Sequence, residues 1–205
     1  MPIETLKLIR FIAPPVIILA FASTLGAYLG AWEIAIPTSK DDMLFSLNVL
    51  IPGLIYYCTP IRSRINQRFF DMVSENLCEG LIRISQLPPN PKFSWKNLRG
   101  IFFSFVDSDP SLKTKAKLAY ANGAAWTTLA DIRAISFWFM VISVLFCYLG
   151  EIKGLFAAAT CLIIIGVSYF GSLQITKRHM DIGNEQLEII QLNHQAVLRQ
   201  KMAAL

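Results

Sequence analysis

Four stretches of this 205-residue chain hold no charged side chain: residues 11–32, 43–61, 134–150 and 154–176. A helix rises about 1.5 Å per residue and the hydrocarbon core of a bilayer is about 30 Å thick, so runs of 17 to 23 residues have the length of a crossing. They predict an all-α polytopic membrane protein with four transmembrane helices. Composition agrees, with 54% apolar residues, only 16% charged residues and a mean hydropathy of +0.48, against about 25% charged in a soluble domain. A soluble fold would have to cover four helices that are apolar on every side, and so short a chain has too little material to wrap them.

The charges outside these runs set the orientation. Segments 1–10, 62–133 and 177–205 hold 17 of the 19 Lys and Arg residues; segments 33–42 and 151–153 hold one each. Cytoplasmic loops keep the positive charge, which puts both termini and the middle segment inside, as in a bacterial inner-membrane protein. The expected division is a first transmembrane pair (1–61), a cytoplasmic helical insert (62–133), a second pair (134–176) and a C-terminal cytoplasmic helix (177–205). Lys7 and Arg10 precede an apolar run too long for a signal-peptide core, so this run reads as the first membrane helix.

The basic balance calls for membrane lipid rather than direct nucleic-acid binding. Arg62, Arg64 and Arg68 follow the second run, and Lys177 and Arg178 the fourth, where anionic headgroups attract them. Cys58, Cys78, Cys147 and Cys161 show no Cys-x-x-Cys spacing, which argues against structural disulfides and zinc. No cofactor or metal is implied.

Within the first run, Pro14-Pro15 removes two backbone donors and invites a kink or a helix start. Ala22, Gly26 and Gly30 form a small-residue stripe that lets another helix approach closely. Such a stripe serves either packing within the chain, the commoner use, or self-association. Asn48 and Pro52-Gly53 mark the second run. The four runs contain no Asp, Glu, Lys, Arg or His, the groups that coupled transporters keep at membrane depth.

From Arg62 to Leu87 the apolar residues Ile65, Phe69, Met72, Val73, Leu77, Leu81 and Ile84 recur at helical spacing, predicting an amphipathic helix that continues from the second run. Pro88-Pro89-Asn90-Pro91 ends it. Ser94 then reads as an N-cap. Trp95, Leu98, Ile101, Phe102, Phe103 and Phe105 follow it, a set suited to the inner membrane interface, to a protein partner or to simple packing. Asp109-Pro110 opens the next helix as N-cap and first helical residue. In the C-terminal segment Leu187, Ile190, His194 and Val197 form a stripe for packing on the Arg62–Leu87 helix or on a second copy, with His194 as an interface residue rather than a ligand.

No nucleophile–base pair, metal cluster or phosphate-binding loop is present. The expected function is a non-enzymatic scaffold or sensor that homo-oligomerises and presents a cytoplasmic helical platform to a soluble protein partner. The alternative is a homo-oligomeric ion channel or membrane-perturbing effector gated by the cytoplasmic part. A membrane enzyme ranks behind both and would have to recruit Asp107, Asp109, Asp131 or His179.

Four spans, both ends inside, a large helical insert between spans two and three, and no catalytic motif together resemble the membrane subunit of the two-gene Kiwa antiphage defence system. The likeness is architectural and covers most of the chain. It implies a homo-tetrameric membrane sensor bound to a separate cytoplasmic DNA-binding effector, and it carries over no functional residue.

Overall fold

The computed structural model describes residues 3–31 and 43–205, with side chains for 4–31 and 51–205. Among the described residues there are six helices: α1 (Ile3–Leu29), α2 (Met43–Cys58), α3 (Ile61–Ser85), α4 (Trp95–Ser108), α5 (Pro110–Tyr148) and α6 (Lys153–Ala203). The all-α expectation holds. Three helices, α1, α5 and α6, are long and apolar enough to cross a membrane. The expected fourth, α2, has 16 residues, about 24 Å of helix, which falls short of a core about 30 Å thick. Trp32, the segment 33–42 and the side chain of Asn48 lie outside the described residues.

The chain divides into two compact units. Unit 1 comprises Met1–Asn66 and Ala124–Ser172; unit 2 comprises Gln67–Gly123 and Leu173–Leu205.

In unit 1, Leu25 and Leu29 of α1, Ile135 and Phe139 of α5, and Ala157 and Cys161 of α6 form the core. Phe21 stacks on Phe139 with ring centroids 5.4 Å apart. Ala22 packs against the same cluster, and Gly26 is buried. Gly30 does other work: at φ +67° it ends α1. Its N–H bonds to the Ala27 carbonyl at 3.3 Å and the Ala31 N–H reaches back to Gly26 at 3.1 Å. This pair of bonds is a Schellman cap, which requires the left-handed backbone that glycine adopts without strain. Gly150, at φ +98°, closes α5 with the same two bonds, to Cys147 from its own N–H and to Phe146 from Glu151.

The Pro14-Pro15 pair does not start α1, which runs through both prolines. Pro52-Gly53 is its counterpart: a Cβ on Gly53 would stand 2.4 Å from the Pro15 ring. The bare glycine therefore lets α2 lie directly against the proline. α3 does not continue α2. Thr59 and Pro60 separate them, because Pro60 has no N–H to extend the helix and biases Thr59 away from helical backbone. Thr59 Oγ1 instead donates to the Tyr56 carbonyl at 2.7 Å.

In unit 2, α3 buries Phe69, Val73, Leu77, Leu81 and Ile84 as its periodicity predicts, while Met72 stays exposed. The partner is the C-terminal part of α6. A Cβ on Gly80 would meet Leu187 at 2.2 Å, and one on Gly183 would meet Leu77 at 3.0 Å. Each helix thus seats its leucine over the other's glycine. Asn76 and Asn184 join the same pair of helices by a 2.9 Å hydrogen bond.

Candidate functional site

Asp131 is the most deeply buried charged side chain described, fully enclosed within unit 1. It sits on α5 three residues before the third charge-free run. A carboxylate taken out of water costs several kcal/mol unless it is paired and hydrogen-bonded. Three donors meet it. Arg62 Nε lies 2.7 Å from Oδ1, Arg62 Nη2 2.6 Å from Oδ2, and the Tyr56 hydroxyl donates to Oδ1 at 3.0 Å. The two Arg62 bonds form the parallel fork that guanidinium and carboxylate share.

Arg62 makes one more bond, and it explains a proline. Nη2 donates to the Arg10 carbonyl at 3.0 Å. In an uninterrupted helix that carbonyl would accept the N–H of residue 14, but residue 14 is proline and has none. The guanidinium supplies the missing donor. It also lies 5.1 Å from the centroid of the Tyr57 ring, whose edge meets Phe11 at 5.3 Å. One side chain at the start of α3 therefore fastens α1 and α5 together, while Tyr56 of α2 closes the carboxylate. Asp131 has no open face for a substrate, and its chemistry is that of a fixed anion holding four helices.

The second cluster lies in unit 2. Asp109 caps α5, accepting the Ser111 N–H at 2.8 Å, and its other oxygen meets His194 Nε2 at 2.9 Å. The His194 hydrogen bond and the capping N–H groups hold the Asp109 carboxyl below its ordinary range. The His194 ring stacks on Phe105 at 5.1 Å, and Lys201 Nζ stands 5.0 Å from the centroid of the same ring. Ser94 occupies the N-cap of α4, although its side chain makes no capping hydrogen bond.

The aromatic segment splits between interior and surface. Leu98, Phe102 and Phe105 are buried, Trp95 and Ile101 are half-buried, and Phe103 is 51% exposed. Trp95 and Phe103 remain in edge contact at 6.5 Å, with Lys96 and Arg99 exposed in the same helix. Along α6, Leu187 and Ile190 are buried, His194 is half-buried, and Val197 is exposed. Of the basic residues expected at the lipid boundary, Arg62 is committed to Asp131, whereas Arg64, Arg68, Lys177 and Arg178 are exposed. Sequence reasoning missed the Arg62–Asp131 pair. Its one legible trace was the four-residue offset from Arg10 to Pro14, which orphans an acceptor.

No protein-family model matches the chain, and no curated protein or solved structure shows a significant match.

Proposed function

We propose that this chain is a non-enzymatic membrane scaffold that presents unit 2 to a soluble cytoplasmic protein. The observation that carries the reading is the exposed Phe103 ring in edge contact with half-buried Trp95, set beside exposed Lys96 and Arg99 on the same helix. Aromatic rings edged by basic residues are the composition of protein-binding surfaces. In this proposal α2 completes a fourth crossing, both termini and unit 2 lie in the cytoplasm of a bacterial cell, and the protein works as a homo-oligomer. The resemblance to the Kiwa membrane subunit makes that oligomer a tetramer and the partner a defence effector.

A scaffold is favoured over a channel by what two of the buried hydroxyls of unit 1 do, while a third, Ser136 Oγ, makes no hydrogen bond among the described residues. Ser143 and Ser172 donate to carbonyls one turn back in their own helices, Phe139 and Ser168, at 2.7 and 2.9 Å. Such hydroxyls are taken up by backbone and are not lined up for an ion. The test is affinity purification of the full chain from native membranes with the partner identified by mass spectrometry, alongside an ion-flux assay in liposomes. A stoichiometric soluble partner, lost on Phe103→Glu, and no flux support the scaffold. Flux without any partner contradicts it.

A further inference from the structure

A groove of about 370 Å³ opens on the surface of unit 1, lined almost wholly by carbon. Ile61 and Ile65 of α3, Arg133, Phe137 and Trp138 of α5, and Ile165 of α6 line it. Phe137 and Trp138 are each about half exposed, so the groove is open to whatever surrounds the apolar helices. Around a membrane-spanning unit that medium is lipid.

Arg133 determines what kind. It is the last charged residue before the apolar run of α5, one helical turn from Phe137. Its guanidinium is held in place, with Nη2 donating to Ser172 Oγ at 2.8 Å and the plane lying over the Tyr169 ring at 5.6 Å from the centroid. A cation held at the boundary of a greasy channel matches the anatomy of a phospholipid, whose phosphate sits one step outward from its acyl chains. The volume lies at the lower end for small-molecule sites, enough for part of one chain rather than a whole lipid.

We infer that the groove beside Arg133 binds an anionic glycerophospholipid, with an acyl chain between Trp138 and Ile165 and the headgroup phosphate on the Arg133 guanidinium. Phosphatidylglycerol is favoured over phosphatidylcholine because the latter carries its own cation, which cancels the net charge Arg133 would meet. The site is distinct from the partner surface on unit 2 and does not depend on it.

The test uses the full chain with Trp138 as its only tryptophan, the other three replaced by phenylalanine, in bilayers of brominated phosphatidylglycerol or brominated phosphatidylcholine. Bromine quenches a tryptophan it touches. One surface arginine shifts the balance between the two lipids about fivefold. Trp138 is therefore expected to report a preference near fivefold for phosphatidylglycerol, kept by Arg133→Lys and reduced to about one by Arg133→Gln. Equal quenching by both lipids in the parent, a preference that survives Arg133→Gln, or no quenching by either lipid because a second copy covers the groove would each overturn the proposal. Should the single-tryptophan chain fail to fold, native mass spectrometry of the unmodified chain and of Arg133→Gln, titrated with the same two unbrominated lipids, reads the same ratio.

Discussion

Arg62 Nη2 lies 3.0 Å from the carbonyl of Arg10, the acceptor that Pro14 leaves without a helical donor. The same nitrogen also binds Asp131 at 2.6 Å. Breaking a buried ion pair by removing one partner costs about 3–5 kcal/mol, since the other charge is stranded. Asp131→Ala is therefore expected to lower stability by about 3 kcal/mol, read as earlier unfolding in detergent. Arg62→Lys is expected to lose much of that as well, because one ammonium cannot reproduce the fork and reach the carbonyl. Pro14→Ala supplies a helical N–H to the Arg10 carbonyl, so it should recover about 1 kcal/mol in the Arg62→Lys background. No recovery would mean that the carbonyl bond contributes nothing.

The glycines rank by what a methyl group would strike. At Gly154 a Cβ would lie 2.4 Å from the Ser143 carbonyl oxygen and 2.6 Å from the Cys147 nitrogen, backbone that cannot step aside. At Gly53 it would strike Pro15, side chain and Cα alike. At Gly80 and Gly183 the obstacle is the end of a leucine, which can turn. Alanine is expected to cost about 3 kcal/mol or more at Gly154 and Gly53, about 1–2 at Gly80, and less at Gly183. Gly100 and Gly166 have nothing within 4 Å of the added carbon, so alanine there should stabilise by about 0.5–1 kcal/mol through helix propensity. Unfolding of the six variants side by side checks the order.

Asp109 gives unit 2 an acid-side dependence. Its carboxyl titrates lower in the folded state than in the unfolded chain, chiefly because of the His194 hydrogen bond. The unfolded state therefore takes up the proton first as pH falls. The stabilisation is complete above the usual carboxylate value of about 4 and is lost as pH drops through the lower folded value. Asp109→Asn keeps a capping residue at the α5 start but removes the titration. The acid slope of helical content in this variant is expected to be shallower than in the parent. An unchanged slope would assign it to other carboxylates.

Phe102 and Phe103 are adjacent and opposite in role. Phe102 is 3% exposed and Phe103 is 51% exposed. Phe102→Ala is expected to cost about 3–5 kcal/mol of stability. Phe103→Glu gives up ring contacts with Trp95 and Phe102 and should cost only about 1 kcal/mol, yet abolish recovery of the soluble partner. Retention of the partner by a folded Phe103→Glu chain would move the docking surface elsewhere.

The apolar helices were legible because charge is excluded from them for 17 or more consecutive residues, a pattern read without tertiary knowledge. Asp109-Pro110 was equally local, since a cap acts within its own turn. Gly30 was harder. Small residues at helix ends serve packing and caps alike, and only the left-handed backbone separates the two uses. The Arg62–Asp131 pair spans 69 positions, so no periodicity announces it. Arg62 looked like its exposed neighbours Arg64 and Arg68. Nor did apolarity reveal that α2 ends at Cys58, since Thr59 and Pro60 interrupt the helix without adding a charge.

Sidedness is tested most directly by cysteine labelling in intact cells with a membrane-impermeant maleimide. Cysteine is placed singly at Asn90 or at Glu151, after the four native cysteines are replaced. Glu151→Cys is expected to label in intact cells, and Asn90→Cys only after the membrane is opened. Labelling of Asn90→Cys in intact cells would contradict the cytoplasmic placement of unit 2 and, with it, the proposed scaffold.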